Sequence, residues 1–183
     1  MSHTMQQPLF DHFQQRIEST MALAESCSSQ LPAVAERLAD CFLNGRKLLI
    51  YAEQESAWLA GYAQHTLLFG SGFERPPFPA LALSTGNSSA ETTSALLQQQ
   101  GNRGDLLLLL SASESTERCA RLINQAERLG VDSISLCRQP DQLLAKYRVV
   151  LGSSQTASTP LVNLQLEALQ CLFYLIDHKI FGA

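Results

Sequence analysis

Five consecutive leucines, Leu106 to Leu110, lie between a Gly104-Asp105 turn and a run of small, mostly hydroxyl-bearing residues, Ser111-Ala112-Ser113-Glu114-Ser115-Thr116. An unbroken apolar run bounded by turn signals cannot alternate between a wet and a dry face, so it predicts a strand buried on both sides. The segment that follows is amphipathic as far as Gly130 and opens on several capping oxygens, as the start of a helix does. Arg103 to Gly130 therefore reads strand–loop–helix, with the loop at the carboxyl end of the strand. Open α/β sheets bind ligands at that end. Free backbone N–H groups and hydroxyls at a helix start suit a phosphate or another anion. An ordinary capped turn uses the same residues, because serine and threonine are common caps.

The rest of the chain repeats this pattern. Residues Leu9 to Ser29 read as a helix with Phe10, Phe13, Ile17, Met21 and Ala24 at three- and four-residue steps. Pro32 suits the first turn of a second helix, which runs to Leu43 and stops at Asn44-Gly45. Such a hairpin packs on a neighbour, within the chain or in another subunit. Strands are expected at Lys47–Ala52, Ala80–Ser84, Asp132–Cys137 and Arg148–Leu151. Helices are expected at Ala57–Phe69, up to Gln100 behind a Ser88 or Ser89 cap, as a short piece at Gln142–Lys146, and from Pro160 to Ile180. Glu91 stands near the capping-box position of the fourth helix. Strands alternating with helices imply a parallel sheet covered on both faces. The expected fold is a flavodoxin-like α/β/α sandwich with five parallel strands, preceded by the helical hairpin. One domain spans 1–183, the hairpin 1–45 and the α/β core 46–183. The last helix is apolar nearly all round, which predicts burial, in part at a subunit contact.

Charge and composition close off several functions. A net charge of −4 without a dense Lys/Arg cluster argues against direct nucleic-acid binding. No apolar run approaches the ~20 residues of a membrane helix, and the N-terminus lacks the basic and apolar regions of a signal peptide. A cytoplasmic protein is expected. Cys27, Cys41, Cys119, Cys137 and Cys171 form no CxxC and sit in apolar segments, as buried free thiols do. His3, His12, His65 and His178 show no metal-ligand spacing, and neither metal nor cofactor is expected.

The order of elements and the strings FPALALSTGNSS, GDLLLLLSAS and CLFYLIDHKIF resemble the sugar isomerase (SIS) domain family, nearest the phosphoheptose isomerases and the related replication-initiator-associating proteins. The resemblance covers almost the whole chain. It implies a homo-oligomer, usually a tetramer, with phosphosugar sites at subunit contacts. The family's Gly-Asn-Gly-x-Ser-Ala loop here reads Ala52-Glu53-Gln54-Glu55-Ser56-Ala57, so only Ser56 and Ala57 remain. The lost glycines remove close backbone approach, and Glu53 and Glu55 would repel a phosphate. In the family's Ser-Thr-x-Gly-Asn-Ser loop, Ser111 is kept, Thr116 replaces the serine and Glu114 replaces the glycine. A threonine that ends the fourth strand is here Cys137. By resemblance the phosphosugar-binding candidates are Ser56, Ser111, Ser113, Ser115 and Thr116.

Aldose–ketose isomerisation needs a base and an acid flanking the sugar. The family's glutamate falls at His65 and its histidine at Gln165. Glutamine cannot carry a proton in this way, and a lone helix histidine is more often an ordinary surface or core residue. The main reading is a degenerate, non-catalytic family member that binds a phosphosugar or serves as a protein scaffold, in the manner of the initiator-associating branch. Ile180 and Phe181 are its candidate partner contact, against the plainer reading that they pack on their own subunit or a neighbour. The alternative is a phosphoheptose isomerase-like enzyme of the sedoheptulose 7-phosphate type, with Glu53, Glu55, Glu91 or His65 supplying altered acid–base groups. A sugar-phosphate sensor for transcription ranks last, since no basic helix is present. Trp58 is expected to pack at a contact or to fill part of the pocket.

Overall fold

The computed structural model describes residues 3–70, 72, 74–83, 89–111, 117–138 and 145–182. In chain order the elements are α1 (His3–Cys27), α2 (Gln30–Leu43), β1 (Leu48–Ala52), a 3₁₀ turn (Gln54–Ser56), α3 (Ala57–Phe69), β2 (Ala80–Ala82), α4 (Ala90–Gln100), β3 (Leu106–Leu110), α5 (Glu117–Leu129), β4 (Asp132–Cys137), β5 (Tyr147–Val150) and α6 (Leu161–Phe181). The five strands form one parallel sheet in the order β2-β1-β3-β4-β5. The expected α/β/α sandwich is thus the observed one.

The leucine run explains the layering. Side chains alternate across a strand, so Leu106, Leu108 and Leu110 enter one core while Leu107 and Leu109 enter the other. All five are fully buried, and burying a leucine contributes about 1.5–3 kcal/mol. The first core lies under α1, α2, α3 and α6 and takes Leu48, Ile50 and Ala52 from β1. The second lies under α4 and α5 and takes Leu49 and Tyr51. Helix α5 presents Cys119, Leu122, Ile123 and Ala126 to it at helical spacing. Strand order reverses direction between β1 and β3, whose residues pair in register from Leu48–Leu106 to Ala52–Leu110. This is the topological switch point, the place at which open α/β sheets bind ligands.

Several boundaries differ from expectation. Helix α1 begins at His3, ahead of the expected Leu9, and carries Pro8 inside it at the expense of one backbone hydrogen bond. Strand β2 ends at Ala82, and Ser84 lies outside the described residues. Its edge is covered, because the Ala82 N–H donates to Gln64 Oε1 at 2.6 Å. The short helical piece expected at Gln142–Lys146 is not helical at Ala145 and Lys146; residues 142–144 lie outside the description. There the Lys146 N–H donates to Ser133 Oγ at 3.2 Å and the chain runs straight into β5, which starts at Tyr147 and not Arg148.

Surface placement also departs from the sequence reading. The stripe Phe10, Phe13, Ile17 and Met21 of α1 faces outward, each more than half exposed, while Ser19, Ala22, Leu23 and Cys27 face inward. Trp58 is 54 % exposed and meets the Tyr62 ring edge-on at 6.3 Å, so it fills no pocket among the described residues. Cys171 is exposed; the other four thiols are buried.

Candidate functional site

The carboxyl ends of β1 and β3 carry a connected set of buried polar groups. Ser56 follows the 3₁₀ turn that begins α3, and its hydroxyl donates to Gln165 Oε1 at 2.5 Å. Gln165, in the second turn of α6, is fully buried. Its amide nitrogen donates to the carbonyls of Ser111 at 2.9 Å and Leu136 at 3.1 Å. One side chain thereby ties α6 to the loop after β1, the end of β3 and the end of β4. Unpaired polar groups at this depth would cost about 1–3 kcal/mol each, so the amide's three bonds are what permit it there.

Glu53 is the second centre. The parallel ladder carries the backbone to it, with its N–H donating to the Leu110 carbonyl at 3.1 Å. Its side chain is 6 % exposed. The Tyr51 hydroxyl donates to Oε1 at 3.3 Å and the Ser111 hydroxyl to Oε2 at 3.5 Å. Arg118, in the first turn of α5, donates to the Tyr51 hydroxyl at 3.4 Å. Burial pushes the Tyr51 phenol up to about 12, against the opposing effect of the Arg118 bond. Arg118 continues outward to a surface groove of about 440 Å³ between the first turns of α4 and α5, where Glu91, Ser94, Glu117 and Arg121 are its polar neighbours.

The sequence candidates divide. Ser56, Ser111 and Gln165 meet in one network. His65 does not join them: it is exposed, nine residues along α3 from Ser56, or about 13 Å of helix, and its ring lies 4.8 Å from Phe69. Ser113, Ser115 and Thr116, with Glu114, lie outside the described residues. Glu91 is exposed and acts at the helix start, where its own backbone N–H and the Ser89 hydroxyl hold its carboxyl below the usual range; Ser89 is the cap. Ile180 packs against the first core, and Phe181, 40 % exposed, stacks on Phe78 with centroids 5.9 Å apart. Sequence reasoning did not place Tyr51 and Arg118 at this centre. The available signal was the strand alternation that sends Tyr51 to the α5 side. Among the described residues no His/Cys/Asp/Glu group is placed to hold a metal, and no helix is long and apolar enough to cross a membrane.

Comparison with known proteins agrees with this architecture. No protein-family model matches the chain. It is 26 % identical over 185 residues to the phosphoheptose isomerase of Shewanella halifaxensis, across 93 % of this chain and 94 % of that protein. It is 32 % identical over 133 residues to the phosphoheptose isomerase of Chlorobaculum parvum, across 66 % of this chain and 63 % of that protein. A solved phosphoheptose isomerase structure from Francisella tularensis superposes with a TM-score of 0.80 at 22 % identity, covering 96 % of this chain and 99 % of that one. The structural likeness establishes the shared fold, and the sequence likeness runs nearly end to end. On these grounds the chain has the sugar isomerase (SIS) domain fold and resembles the phosphoheptose isomerases in sequence along nearly its whole length.

Proposed function

We propose that this protein binds a sugar phosphate at the carboxyl edge of its sheet, and that the reaction of such a site is the aldose–ketose isomerisation for which its phosphoheptose isomerase relatives are named. The observation that carries the reading is the convergence of Glu53, Ser56, Ser111 and Gln165 at the topological switch point. Ser113, Ser115 and Thr116 complete the proposed binding set. Isomerisation moves a proton between adjacent carbons and needs a carboxylate or imidazole beside them. Glu53 is buried at the strand end, whereas His65 faces solvent.

A second reading is binding without turnover, in a scaffold role. Gln165 favours it: an amide with all its bonds committed to Ser56, Ser111 and Leu136 does not exchange a proton with a substrate. Under that reading Phe181, with Ile180 behind it, is the proposed protein contact.

Thermal unfolding with a panel of sugar phosphates tests both. A ligand that binds only the folded state raises the midpoint. Sedoheptulose 7-phosphate at millimolar concentration is expected to raise it, and Ser111→Ala to erase the rise. Ketose-to-aldose conversion in the same sample supports the isomerase, and a shift without conversion selects the binder. The absence of any shift across the panel overturns both.

We also propose that the whole chain is one cytoplasmic SIS domain that assembles with copies of itself through α1. Its outward Phe10, Phe13, Ile17 and Met21 form an exposed apolar stripe with no cover among the described residues. Phe13→Glu is expected to lower the mass seen by light scattering while leaving the far-ultraviolet dichroism unchanged. An unaltered mass would remove α1 from the interface.

A further inference from the structure

We propose that Glu53 is a specificity-determining residue whose carboxylate competes with a ligand's phosphate for the donors at the switch point. The inference rests on the phosphosugar reading above and adds the element that limits it. Hydroxyl donors at the carboxyl ends of parallel strands are what an anion's oxygens seek. In this chain the Tyr51 and Ser111 hydroxyls both point at Glu53, one to each carboxylate oxygen. Arg118 stands behind Tyr51 and adds positive charge on the same side. The arrangement is that of an anion seat, filled by the protein's own anion.

Two features bear on this competition. Its oxygens are 3.3 and 3.5 Å from their donors, whereas a tight hydroxyl–carboxylate bond is about 2.5–2.7 Å. Each hydroxyl is therefore aimed at a carboxylate oxygen over a contact longer than a tight bond. The backbone, by contrast, is fixed: the Glu53 N–H bonds Leu110, and its carbonyl receives the Ser56 N–H at 2.8 Å. The side chain thus stays beside the seat even when a ligand takes the hydroxyls. A phosphate there lies within a few ångströms of a buried carboxylate, and like charges that close in a partly desolvated site repel strongly. Phosphate monoesters are accordingly held weakly by the native chain.

Isothermal titration of the native protein, Glu53→Gln and the double variant Glu53→Gln/Ser111→Ala tests this at constant pH and ionic strength. Inorganic phosphate and sedoheptulose 7-phosphate are the probes. Glutamine keeps the side chain's shape and one acceptor while removing the charge. Glu53→Gln is expected to bind inorganic phosphate at least about tenfold more tightly, and Ser111→Ala to abolish that gain. Circular dichroism checks the fold, with Glu53→Ala as the second variant should glutamine disturb it. Equal or weaker phosphate affinity in both Glu53 variants overturns the proposal, as does a gain that survives loss of the Ser111 hydroxyl. If Glu53→Gln gains inorganic phosphate but neither form takes the phosphosugar, the inference stands and the phosphosugar reading falls. If both forms bind the phosphosugar equally, the reverse holds; no binding by any variant overturns both.

Discussion

Asp177→Ala is expected to destabilise the protein by about 3–5 kcal/mol, the range for removing one partner of a buried ion pair. Asp177 lies near the end of α6, and its Oδ1 is 2.8 Å from Arg75 Nε, with the two side chains 8 % and 1 % exposed. The contact is an ion pair off the hydrogen-bond line, since neither atom makes an in-line bond. Burial raises the Asp177 carboxyl's pKa, which Arg75 counteracts; burial also lowers that of the Arg75 guanidinium, against the pull of Asp177. Arg75 has further work at the end of α3. It donates to the carbonyls of Thr66 and Leu67 at 3.1 and 2.9 Å, as a second donor beside the Gly70 and Phe78 N–H groups, and its charge suits the negative end of the helix. It also lies over the Phe78 ring at 4.1 Å, and Phe78 stacks on Phe42 at 4.7 Å. Removing Asp177 leaves that cation buried without its counter-charge. Replacing the pair together, with Arg75→Met and Asp177→Leu, is expected to recover much of the loss. Urea unfolding measures both, and a single-variant loss under about 1 kcal/mol would show the pair to be slack.

Gln165→Glu is expected to cost a similar amount, about 4 kcal/mol, for a change of one atom. The glutamine donates two hydrogen bonds to carbonyl oxygens and accepts one from Ser56. A glutamate at neutral pH can only accept. It would withdraw the donors from the Ser111 and Leu136 carbonyls, at about 1–3 kcal/mol each, and set a charge against them in a fully buried place. The same unfolding experiment at neutral and mildly acid pH decides the cause. Protonating the new carboxyl restores one donor, so the deficit should shrink as the pH falls. A deficit independent of pH would assign the loss to packing. Gln165→Met, which keeps volume and loses all three bonds, then sets the scale.

What could be read in advance follows from how local each signal is. Strand β4 matches its expected span, Asp132–Cys137, residue for residue, because alternation and flanking turns define it locally. Helix α3 matches for the same reason, ending at Gly70. The cap at Ser89 and the left-handed Gly45 after α2 were legible as turn chemistry. The outward turn of the α1 stripe was not legible, because periodicity identifies a face without saying which way it points. The site was legible in part. Resemblance singled out Ser56, Ser111 and Gln165, yet Ser56 and Gln165 are 109 residues apart and only the folded chain shows that they bond. Glu53 was expected to repel a phosphate; that it is held by Tyr51 and Ser111 depends on burial, which no local pattern encodes. His65 fell on the outside of α3 because helix phase, not residue type, decides where an imidazole points.

The placement of α1 has one more consequence. From Met5 to Glu18 no residue of the helix is buried, and the inward-facing residues begin at Ser19. The front half is tethered to the body by Gln15 to Ser158 and by Arg16 to Glu167. A helical segment held mainly by its own hydrogen bonds opens at a small fraction of the free energy of global unfolding. Amide exchange along those residues therefore reports on its own surroundings, separately from the sheet. Fast exchange marks a bare helix and slow exchange a covered one, so a single deuterium time course reads the state of that surface without a label, a mutation or a partner in hand.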